Sequence, residues 1–504
     1  MYPNYSLKDD EMGCDDLILP FTAEHNDKML TLNPASSIID ACRANGKRFV
    51  DRSFPPIVES ANWNPKRPSS IKVDQWARIS EICGPKPWVL EQRVVIEDVI
   101  QGYLGNCWFV QCLAGFAKRY QYLQRLIDPP RYNPEGCYGV KLFDEGRWHV
   151  VIVDDYIPCQ KYGKKLKPTG THARDSSCAW ILILEKAFAK LHTCYQSMVG
   201  GSNDYCFGPT NVLRLMSGSP SGTIRLDGKG ADKIWDELRR RTEQGWILGA
   251  GTKHNTTNKN TGLVYGHAYS IVDTCVVDGT YRLVCIRNTW GRKEWQGDWS
   301  DKSPIFTPER KEQVRSQTQY WKGVKNDGIF LMAIEDFVQQ YEIIYFTDLV
   351  DDLYGHSAVV QSEWSGSMAG GNRSLKNPKI AFTCSAGASL HAELHVARAD
   401  WKKNHCSAEL LATSDRDAAK TNKGFLDKKK ELVSIRFGKF SRDLIVQWDL
   451  LPQKTTVLVP TYGRDKTGHF ALVLRCNRAF TCTVTDTNGQ VQIQSVPRQT
   501  IGLT

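Results

Sequence analysis

The sequence lacks any hydrophobic run long enough to cross a bilayer, which takes roughly 18 consecutive apolar residues. Its start, Met1 to Asp10, has no basic end followed by an apolar stretch, which argues against a secretory signal. The 16 cysteines include no C-x-x-C pair and follow no repeating spacing. In a chain of 504 residues this predicts free thiols in a reducing compartment, and therefore a cytoplasmic protein.

Internal repeats and long low-complexity tracts are also missing, and so is any nucleic-acid-binding motif. A net charge of +10 is modest for this length, and no basic stripe interleaved with aromatics supports a DNA or RNA partner. The sharpest concentration of positive charge is the lysine-rich segment 420–442. Two interpretations stay open for it: an ordinary solvated face, or a contact surface for an acidic membrane or an acidic protein.

The chain does contain material for roughly two to four globular domains. Helix and strand patterns mix between residues 36 and 215, and a helix with a strong apolar face is predicted at 180–191. Strand patterns dominate 216–352. Short alternating strands separated by turns fill 353–504, which predicts an all-β sandwich. We interpret residues 1–35 as a polar N-terminal leader, and the fold class as α+β.

The most informative stretch is the octapeptide Gln101–Trp108, in which a glutamine and two glycines precede Cys107. An apolar run with helical spacing follows as far as Ala117, so we expect the thiol at the first turn of a buried helix. The positive end of the helix dipole favours the thiolate there, and the thiolate is the attacking species in cysteine catalysis. On this spacing alone, a structural core cysteine is the competing interpretation.

A cysteine nucleophile needs a histidine as base, and the histidine needs a group that orients its ring. His267 lies in an alternating strand, and the strand that follows ends at Asn288. Asp278-Gly279 between them is a strong two-residue hairpin signal. A turn centred there pairs Tyr269 with Asn288 and makes Asn288 a diagonal neighbour of His267 on the same sheet face. The Asn288 oxygen would then accept from one imidazole nitrogen, the other nitrogen would face the thiol, and Trp290 would cover the pair.

Three segments, in this order, resemble the active-site motifs of the calpain family of cysteine proteases. Gln101–Trp108 resembles the nucleophile motif, Gly262–Ser270 the histidine motif and Ile286–Asp301 the asparagine block. Gly370–Asn372 is similar to the opening of the calpain β-sandwich. Together with weaker matches between them, the resemblance covers nearly the whole chain beyond the leader.

The resemblance implies a papain-like catalytic core in two parts, with the active cleft between them. The first half, 36–215, would be rich in helix and carry the nucleophile, and the second half, 216–352, would be rich in strand and carry the histidine and asparagine. Residues 353–504 would form the calpain-type β-sandwich, with no calmodulin-like small-subunit docking domain after it.

The resemblance also implies a role for each residue of the site. Cys107 would attack a peptide carbonyl, and His267 would take its proton and later protonate the leaving amine. Asn288 would orient His267, and Trp290 would shield this pair. Gln101 and the Cys107 backbone N–H would form the oxyanion hole, where each donor contributes a few kcal/mol.

Calpains bind calcium in each half of the core, and the matching ligands here are incomplete. In the first half Asp98 matches a ligand, with its second carboxylate expected near Asp204 or Tyr205. The second half offers three matching acids, at Glu294, Asp301 and Asp327. Fewer carboxylates weaken a site for a hard cation, so Ca²⁺ is an expected cofactor with reduced ligand sets.

Two further residues depart from the family pattern close to the catalytic groups. Asn106 stands where an aspartate usually precedes the nucleophile, and Thr289 replaces the proline that usually follows the asparagine. Neither departure removes a group that the proteolytic mechanism uses.

The sequence therefore predicts an intracellular, calpain-like cysteine endopeptidase that makes limited cuts in protein substrates through an acyl-enzyme on Cys107. One alternative is a proteolytically silent regulatory or scaffold protein with the same cleft. A second alternative is a transglutaminase-like acyl transferase, which would use an aspartate in place of Asn288.

Overall fold

The structure is a computed structural model, and the residues that it describes form sixteen ranges. These are 6–14, 18–20, 34–64, 66, 71–200, 208–254, 261–324, 326–349, 355–369, 377–385, 388–397, 409–413, 432–436, 443–448, 455–461 and 466–497. Within them, no helix is both long and apolar enough to span a membrane. Almost all of the lysine-rich segment 420–442 lies outside these ranges, as do Asp204 and Tyr205.

Helices and strands are both present throughout the first two thirds of the chain, as an α+β fold requires. The α-helices are Pro34–Ala44, Val58–Ala61, Ile79–Ile82, Cys107–Ala117, Tyr120–Leu126, Trp180–Leu191, Pro209–Ser217, Ala231–Glu243, Pro308–Gln317 and Ile334–Gln340. Short 3₁₀ turns lie at Ile96–Asp98, Tyr195–Met198 and Gly366–Met368.

The strands are numbered here in chain order. They are β1 Glu11–Cys14, β2 Ile18–Pro20, β3 Arg48–Asp51, β4 Gln75–Arg78, β5 Val99–Ile100, β6 Ile127–Asp128, β7 Cys137–Asp144, β8 Arg147–Asp154, β9 Tyr156–Tyr162, β10 Lys165–Pro168, β11 His172–Ala173, β12 Ser221–Arg225, β13 Ile247–Thr252, β14 Ala268–Val277, β15 Tyr281–Asn288, β16 Ile329–Ala333, β17 Tyr341–Thr347, β18 His356–Trp364, β19 Lys379–Cys384, β20 Leu390–Val396, β21 Glu409–Thr413, β22 Leu432–Arg436, β23 Asp443–Trp448, β24 Thr455–Thr461, β25 Gly468–Cys476, β26 Phe480–Asp486, β27 Gly489–Gln494 and β28 Val496–Pro497.

The first part of the chain packs helices around small sheets. A four-stranded sheet in the order β2-β8-β7-β6 lies beside a three-stranded sheet in the order β10-β9-β4. The predicted helix at 180–191 has the bounds Trp180–Leu191, and every residue in it is buried. Both of its lysines are satisfied by buried carboxylates, since Lys186 pairs with Asp154 and Lys190 with Asp51.

Two strands of this region come from the segment predicted to be a polar leader. β1 runs parallel to β3, and β2 adds to the edge of β8. Glu11 is 2% exposed and accepts a hydrogen bond from the Tyr156 hydroxyl at 2.8 Å. The described part of residues 1–35 is therefore built into the fold, because strand pairing and one buried carboxylate hold it there.

The second part is organised by a six-stranded sheet in the order β12-β17-β13-β14-β15-β16. The predicted pairing of Tyr269 with Asn288 is present in it, but the predicted register at the turn is not. Val277 pairs with Tyr281, one residue out of step, and a bulge between Ile271 and Asp273 restores the register before the site. A β-bulge adds one residue to a single strand, which is the correction needed here.

The helix Cys107–Ala117 joins the two parts because it has an apolar residue on every side. Residues Trp108–Ala117 are all buried, and the helix packs on β13 and β14 of the six-stranded sheet. The Ser270 hydroxyl donates to the Gln111 carbonyl at 2.9 Å. A Cβ on Gly115 would lie 2.4 Å from the Ile247 side chain, so glycine is what allows the close approach.

From β18 onwards the described chain contains strands and one short 3₁₀ turn. One sheet has the order β23-β20-β25-β18-β28 and the other β22-β21-β24-β19-β26-β27. A single hydrophobic cluster draws on both, with Val360 and Leu472 from the first sheet and Ile380 and Phe382 from the second. Strands β19 and β24 are two of the short strands that the sequence predicts within 353–504.

A buried charge connects these sheets to the first part of the chain. Arg475 of β25 donates to the Glu393 carboxylate at 2.8 Å and to the Gly218 carbonyl at 2.6 Å. Beside it, the turn at Gly146 packs against Val359 and Ala471. The described sheets of the C-terminal region are thus held to the rest through one guanidinium and an apolar contact.

Gly115→Ala is expected to lower the free energy of unfolding by about 1–3 kcal/mol, because the new methyl group overlaps Ile247. The check is urea unfolding followed by tryptophan fluorescence. Gly230→Ala is the matched control, since a Cβ there meets nothing within 4 Å. Adding Ile247→Ala to Gly115→Ala should cost less than the two single changes combined, and simple additivity would contradict the packing argument.

Candidate active site

Cys107 is the first residue of the helix Cys107–Ala117, as the sequence predicts. The backbone N–H groups of a first helical turn have no acceptor within the helix, so they are directed at whatever lies in front of it. The thiol is partly exposed, whereas the ten helical residues after it are buried. The backbone N–H of Ala268 faces the sulfur, which places Cys107 against the residue next to His267.

The imidazole of His267 is held by a single side-chain hydrogen bond. Its Nε2 lies 3.0 Å from Asn288 Oδ1, and both residues are buried. Because an amide oxygen accepts, the ring must carry its proton on Nε2, which leaves Nδ1 free of hydrogen as the basic nitrogen. The diagonal arrangement inferred from the hairpin is therefore the one observed.

Asn288 is itself fixed from several directions. Its Nδ2 donates to the Lys293 carbonyl at 3.0 Å, and its Oδ1 also accepts from the Trp290 backbone N–H at 3.0 Å. The Asn288 backbone N–H donates to the Gly328 carbonyl at 2.7 Å. The amide therefore cannot flip without breaking these bonds, and the histidine tautomer is set by the protein.

Trp290 and Gln101 connect this pair to the loop before Cys107. The Trp290 ring centre lies 4.9 Å from that of His267, so the indole covers the imidazole. Trp290 Nε1 donates to Gln101 Oε1 at 2.9 Å, and Thr289 Oγ1 donates to the same oxygen at 3.3 Å. Gln101 Nε2 donates to the Leu104 carbonyl at 3.0 Å, which uses one of its two hydrogens. The second hydrogen remains for an acceptor in the cleft.

Burial shifts both members of the Cys–His pair toward their neutral forms. Desolvation raises the pKa of Cys107, and the backbone N–H groups of Ala268 and Trp108 offset only part of this. Desolvation also lowers the pKa of His267 to about 4, although the hydrogen bond that His267 donates to Asn288 raises it in part. Although both residues lie in described parts of the chain, no hydrogen bond joins the Cys107 sulfur to the His267 ring. The backbone donors that favour the thiolate are thus opposed by loss of water, and burial has the larger effect on the pKa of Cys107.

The predicted calcium ligands of the second half lie close to one another. Glu294, Asp301 and Asp327 all have raised pKa values because of burial, and neighbouring carboxylates raise the pKa of Glu294 and of Asp327 further. Glu294 accepts from the backbone N–H groups of Asn326 and Gly328 at 3.2 and 2.7 Å. Asp301 Oδ2 is buried without a hydrogen-bond partner. The site therefore has a carboxylate oxygen without a donor, and a hard cation binds oxygens of this kind.

Asp98 is the predicted calcium ligand of the first half. Burial raises its pKa, its carboxylate accepts from the Val95 N–H at 2.9 Å, and Glu97 and Asp175 add negative charge nearby. In the portion of the chain that the structure describes, no group of three or more histidine, cysteine or acidic side chains is already arranged around a metal position. The predicted partners at 204–205 fall outside that portion.

Two residues that contact the site were not selected from the sequence. Tyr269 stands edge-on to His267, with ring centres 4.9 Å apart, and it was noted only for its backbone pairing. Glu185 lies under the nucleophile loop and accepts from Asn106 Nδ2 at 2.8 Å. Strand alternation could have placed Tyr269 on the same sheet face as His267, two positions earlier. Nothing in the sequence links Glu185 to Asn106, which is 79 positions away.

A thiol at a helix start, next to a histidine whose ring is oriented by an asparagine, is the arrangement of cysteine-dependent acyl-transfer enzymes. Residues 49–347 match the calpain family of cysteine proteases. Because this match covers more than half of its length, the chain belongs to the calpain family, whose members are hydrolases acting on peptides.

Curated relatives agree with this family. The calpain-type cysteine protease ADL1 of Oryza sativa subsp. japonica is 34% identical over 365 residues, which is 69% of this chain and 16% of that protein. The calpain-type cysteine protease DEK1 of Zea mays has the same identity and coverage. The calpain-2 catalytic subunit of Mus musculus is 28% identical over 357 residues, which is 67% of this chain and 49% of that protein. The chain thus spans about half or less of the length of these relatives.

Replacing His267 by glutamine is expected to reduce the acid sensitivity of the fold. The pKa of His267 is about 4 in the folded chain and about 6.5 when unfolded, so its contribution to stability is complete above pH 6.5. That contribution is lost as the pH falls toward 4, and it is on the order of 3 kcal/mol. Urea unfolding at about pH 7 and about pH 4 should show a smaller difference for His267→Gln than for the parent. His254→Gln, at an exposed histidine, should behave like the parent, and equal pH dependence of all three proteins would contradict a buried neutral imidazole.

Proposed function

We propose that this protein is an intracellular, cytoplasmic cysteine endopeptidase that cuts folded or extended protein substrates at a limited number of sites. Its catalytic groups are Cys107, His267, Asn288 and Gln101, with Trp290 as the shield. The observation that carries the proposal is the hydrogen bond from His267 Nε2 to Asn288 Oδ1 at 3.0 Å. It fixes the one tautomer that leaves a basic Nδ1 for a thiol at the start of a neighbouring helix.

The reaction follows from these positions. The Cys107 thiol gives its proton to His267 Nδ1, and the sulfur forms a bond to the peptide carbonyl carbon. The carbonyl oxygen becomes an oxyanion, for which the Cys107 backbone N–H and the second Gln101 Nε2 hydrogen are the donors. The C–N bond then breaks as His267 protonates the leaving amine, which leaves a thioester on Cys107. A water molecule deprotonated by His267 attacks the thioester, and the carboxyl product leaves as the thiol is restored.

The buried histidine determines when the first proton moves. With the pKa of His267 near 4 and that of Cys107 raised, the resting pair is neutral at physiological pH. The proton transfer therefore accompanies attack on the substrate instead of preceding it, and the positive imidazolium exists only while the oxyanion or thioester chemistry is under way. Asn288, whose oxygen accepts from Nε2, stabilises that cation.

We further propose that the fold consists of a papain-like core in two halves, 36–215 and 216–352, followed by a calpain-type β-sandwich at 353–504. The helix at Cys107 and the six-stranded sheet that bears His267 and Asn288 support the division of the core. The hydrophobic cluster common to the two C-terminal sheets supports the sandwich. In this arrangement the cleft follows the line where the helix start meets β14.

Calcium is the cofactor that we propose for the second half, held by Glu294, Asp301 and Asp327. A divalent cation would compensate the negative charge of the three carboxylates, which raises the pKa of Glu294 and of Asp327. A series of hydrogen bonds connects these acids to the side-chain amide of Asn288. Glu294 accepts from the Gly328 N–H, the Gly328 carbonyl accepts from the Asn288 N–H, and Lys293 beside Glu294 accepts from Asn288 Nδ2. For the first half, Asp98 remains the proposed ligand.

Two contacts outside the cleft complete the proposal. The lysine-rich segment 420–442 is proposed to touch an acidic membrane or protein surface, on the basis of its charge. Nucleic acid is not a proposed partner.

A proteolytically silent regulatory protein is the second candidate function. The observation that favours it is that, in the described structure, the Cys107 sulfur has no hydrogen bond to His267 and a raised pKa. Such a protein would have a thiol that peptide electrophiles label slowly, at the rate of an ordinary buried cysteine. The rate at which peptide electrophiles label Cys107 therefore distinguishes the two functions.

Cys107→Ala is expected to abolish cleavage of casein and labelling by a peptide epoxide, because both require the same thiolate. The parent chain should be labelled at Cys107, as shown by mass spectrometry of its peptides. Cys178→Ala, at a buried cysteine away from the cleft, is the matched control and should retain both properties. Undiminished casein cleavage by Cys107→Ala would exclude this mechanism, and a parent that neither cleaves nor is labelled would favour the silent alternative.

Millimolar CaCl₂ is expected to raise the melting temperature of the parent, because the ion binds the folded acids and not the unfolded chain. Asp301→Asn should lose most of this rise, since it removes charge from the buried oxygen that has no partner. Asp298→Asn, in the same loop, is the matched control and should keep the rise. Differential scanning fluorimetry provides the measurement, with MgCl₂ at equal ionic strength as the reference. An Asp301→Asn response equal to that of the parent would exclude these three acids as the calcium site.

A further inference from the structure

A buried carboxylate lies directly beneath the loop that leads into Cys107. Glu185, on the helix Trp180–Leu191, is 2% exposed. Its Oε1 accepts from Asn106 Nδ2 at 2.8 Å, from the Thr171 N–H at 2.9 Å and, by a very short bond, from the Thr171 hydroxyl. One oxygen atom thus receives three donors from two different loops.

These two loops are the ones that shape the oxyanion region. Tyr103 N–H donates to the Thr169 carbonyl at 3.0 Å, and a Cβ on Gly102 would lie 1.9 Å from the Gly170 carbonyl oxygen. A Cβ on Gly170 would in turn lie 1.8 Å from Glu185 Oε2. Segment 101–106 therefore rests on segment 169–171, which rests on the carboxylate.

Asn106 transmits this support to the nucleophile. It immediately precedes Cys107, and its carbonyl accepts from the N–H groups of Phe109 and Val110 at 2.8 and 3.1 Å. Its own N–H donates to the Leu104 carbonyl, the same oxygen that receives Gln101 Nε2. A shift of the Asn106 side chain would therefore move the helix start and the Gln101 amide together.

We propose that Glu185 is a positioning residue for catalysis, which holds the Gln101 amide and the Cys107 N–H in place through Asn106 and Thr171. This inference rests on the proposed endopeptidase function. Glu185 does not touch the substrate, so its effect is on the transition state through the two oxyanion donors and not on the reactivity of the thiol.

Protonation of Glu185 is expected to make the turnover number depend on pH. Among the described residues Glu185 forms no ion pair, and burial raises its pKa to about 7, although the bonds from Thr171 and Asn106 lower it in part. Tyr195 is a titratable neighbour of Glu185, and its burial raises its pKa well above the usual value, so the phenol is neutral. Above pH 7 the carboxylate accepts all its donors, and below pH 7 protonation weakens that acceptor. The turnover number is expected to rise through about pH 7 for this reason.

The first test compares Glu185→Gln with the parent chain on a peptide substrate. The turnover number should fall by about 10-fold to 100-fold, with KM changed by less than about twofold, because only transition-state donors are displaced. The rate of Cys107 alkylation by iodoacetamide, which forms no oxyanion, should change by less than about threefold. The rise of turnover through about pH 7 should be absent.

A matched control separates positioning from loss of folding. Asp51→Asn removes another buried carboxylate bonded to the same helix, through Lys190 at 2.8 Å, and has no contact with either loop. It should lower the melting temperature while leaving the turnover number and its pH profile unchanged. If Glu185→Gln instead lowers turnover and alkylation equally and keeps the parent pH profile, Glu185 is structural and the proposal is overturned.

The pair Asn106 and Glu185 can also be tested by a double-mutant cycle. Asn106→Ala removes the amide that donates to Glu185 at 2.8 Å, so the turnover number should fall as it does in Glu185→Gln. Adding Glu185→Gln to Asn106→Ala should lower the turnover number by less than the two single changes combined, and simple additivity would contradict a direct interaction.

Failure of the proposed function would be seen separately. A parent chain that turns over no peptide would refute the endopeptidase activity, whatever the variants do. In that case the affinity for a peptide aldehyde, whose hemithioacetal oxygen meets the same donors, still tests Glu185. Weaker aldehyde binding by Glu185→Gln than by the parent supports the positioning role, and equal affinities overturn it.

Discussion

The burial of one helix on all its sides is the constraint on which the rest of this structure depends. Residues Trp108–Ala117 carry apolar side chains around the full circumference, so no single sheet can cover them. The helix must lie between the first part of the chain and the six-stranded sheet, and Gly115 permits the distance of approach. Because Cys107 begins this helix, the position of the thiol relative to His267 is decided by core packing.

The same packing accounts for the unusual electrostatics of the site. The thiol is partly and the imidazole almost fully removed from water, which raises the pKa of Cys107 and lowers that of His267, so each favours its neutral form. The fixed groups around them are aligned for charge that appears only during reaction. In the proposed mechanism Asn288 stabilises an imidazolium, and Gln101 and the helix start stabilise an oxyanion. The site that we propose is therefore preorganised for the transition state and not for a resting ion pair.

Local sequence patterns predicted the elements of this site well, while contacts between distant segments escaped them. The helix at 180–191 and the pairing of Tyr269 with Asn288 follow from short-range periodicity and from strand geometry. The hairpin prediction reached the right pair although its turn register was wrong, because a bulge near Val272 compensates for the offset. A bulge of this kind leaves no mark in an alternating pattern, since it is set by packing against the neighbouring strands.

The residues that the sequence could not supply are those whose meaning depends on a partner far along the chain. Glu185 lies on an apolar helix, where the sequence pattern predicts a residue at the boundary of the hydrophobic core. Only the folded structure brings it into contact with Asn106. The pKa of Cys107 is a similar case, since dipole arguments are local and desolvation is not. Part of the predicted leader belongs to the core for the same reason, because Glu11 finds its partner at Tyr156.

The guanidinium of Arg475 links the C-terminal sheets to the part of the chain that precedes them. It is buried between Glu393 of its own sheet and the carbonyl of Gly218, a left-handed residue that ends the helix Pro209–Ser217. The start of that helix contacts the helix Cys107–Ala117, where the Cys112 thiol donates to the Pro209 carbonyl. A fragment cut after β17 would therefore remove Val359 and Ala471 from the turn at Gly146 and leave the Gly218 carbonyl without its guanidinium donor. The C-terminal sheets are thus expected to contribute to the stability of the elements that precede them.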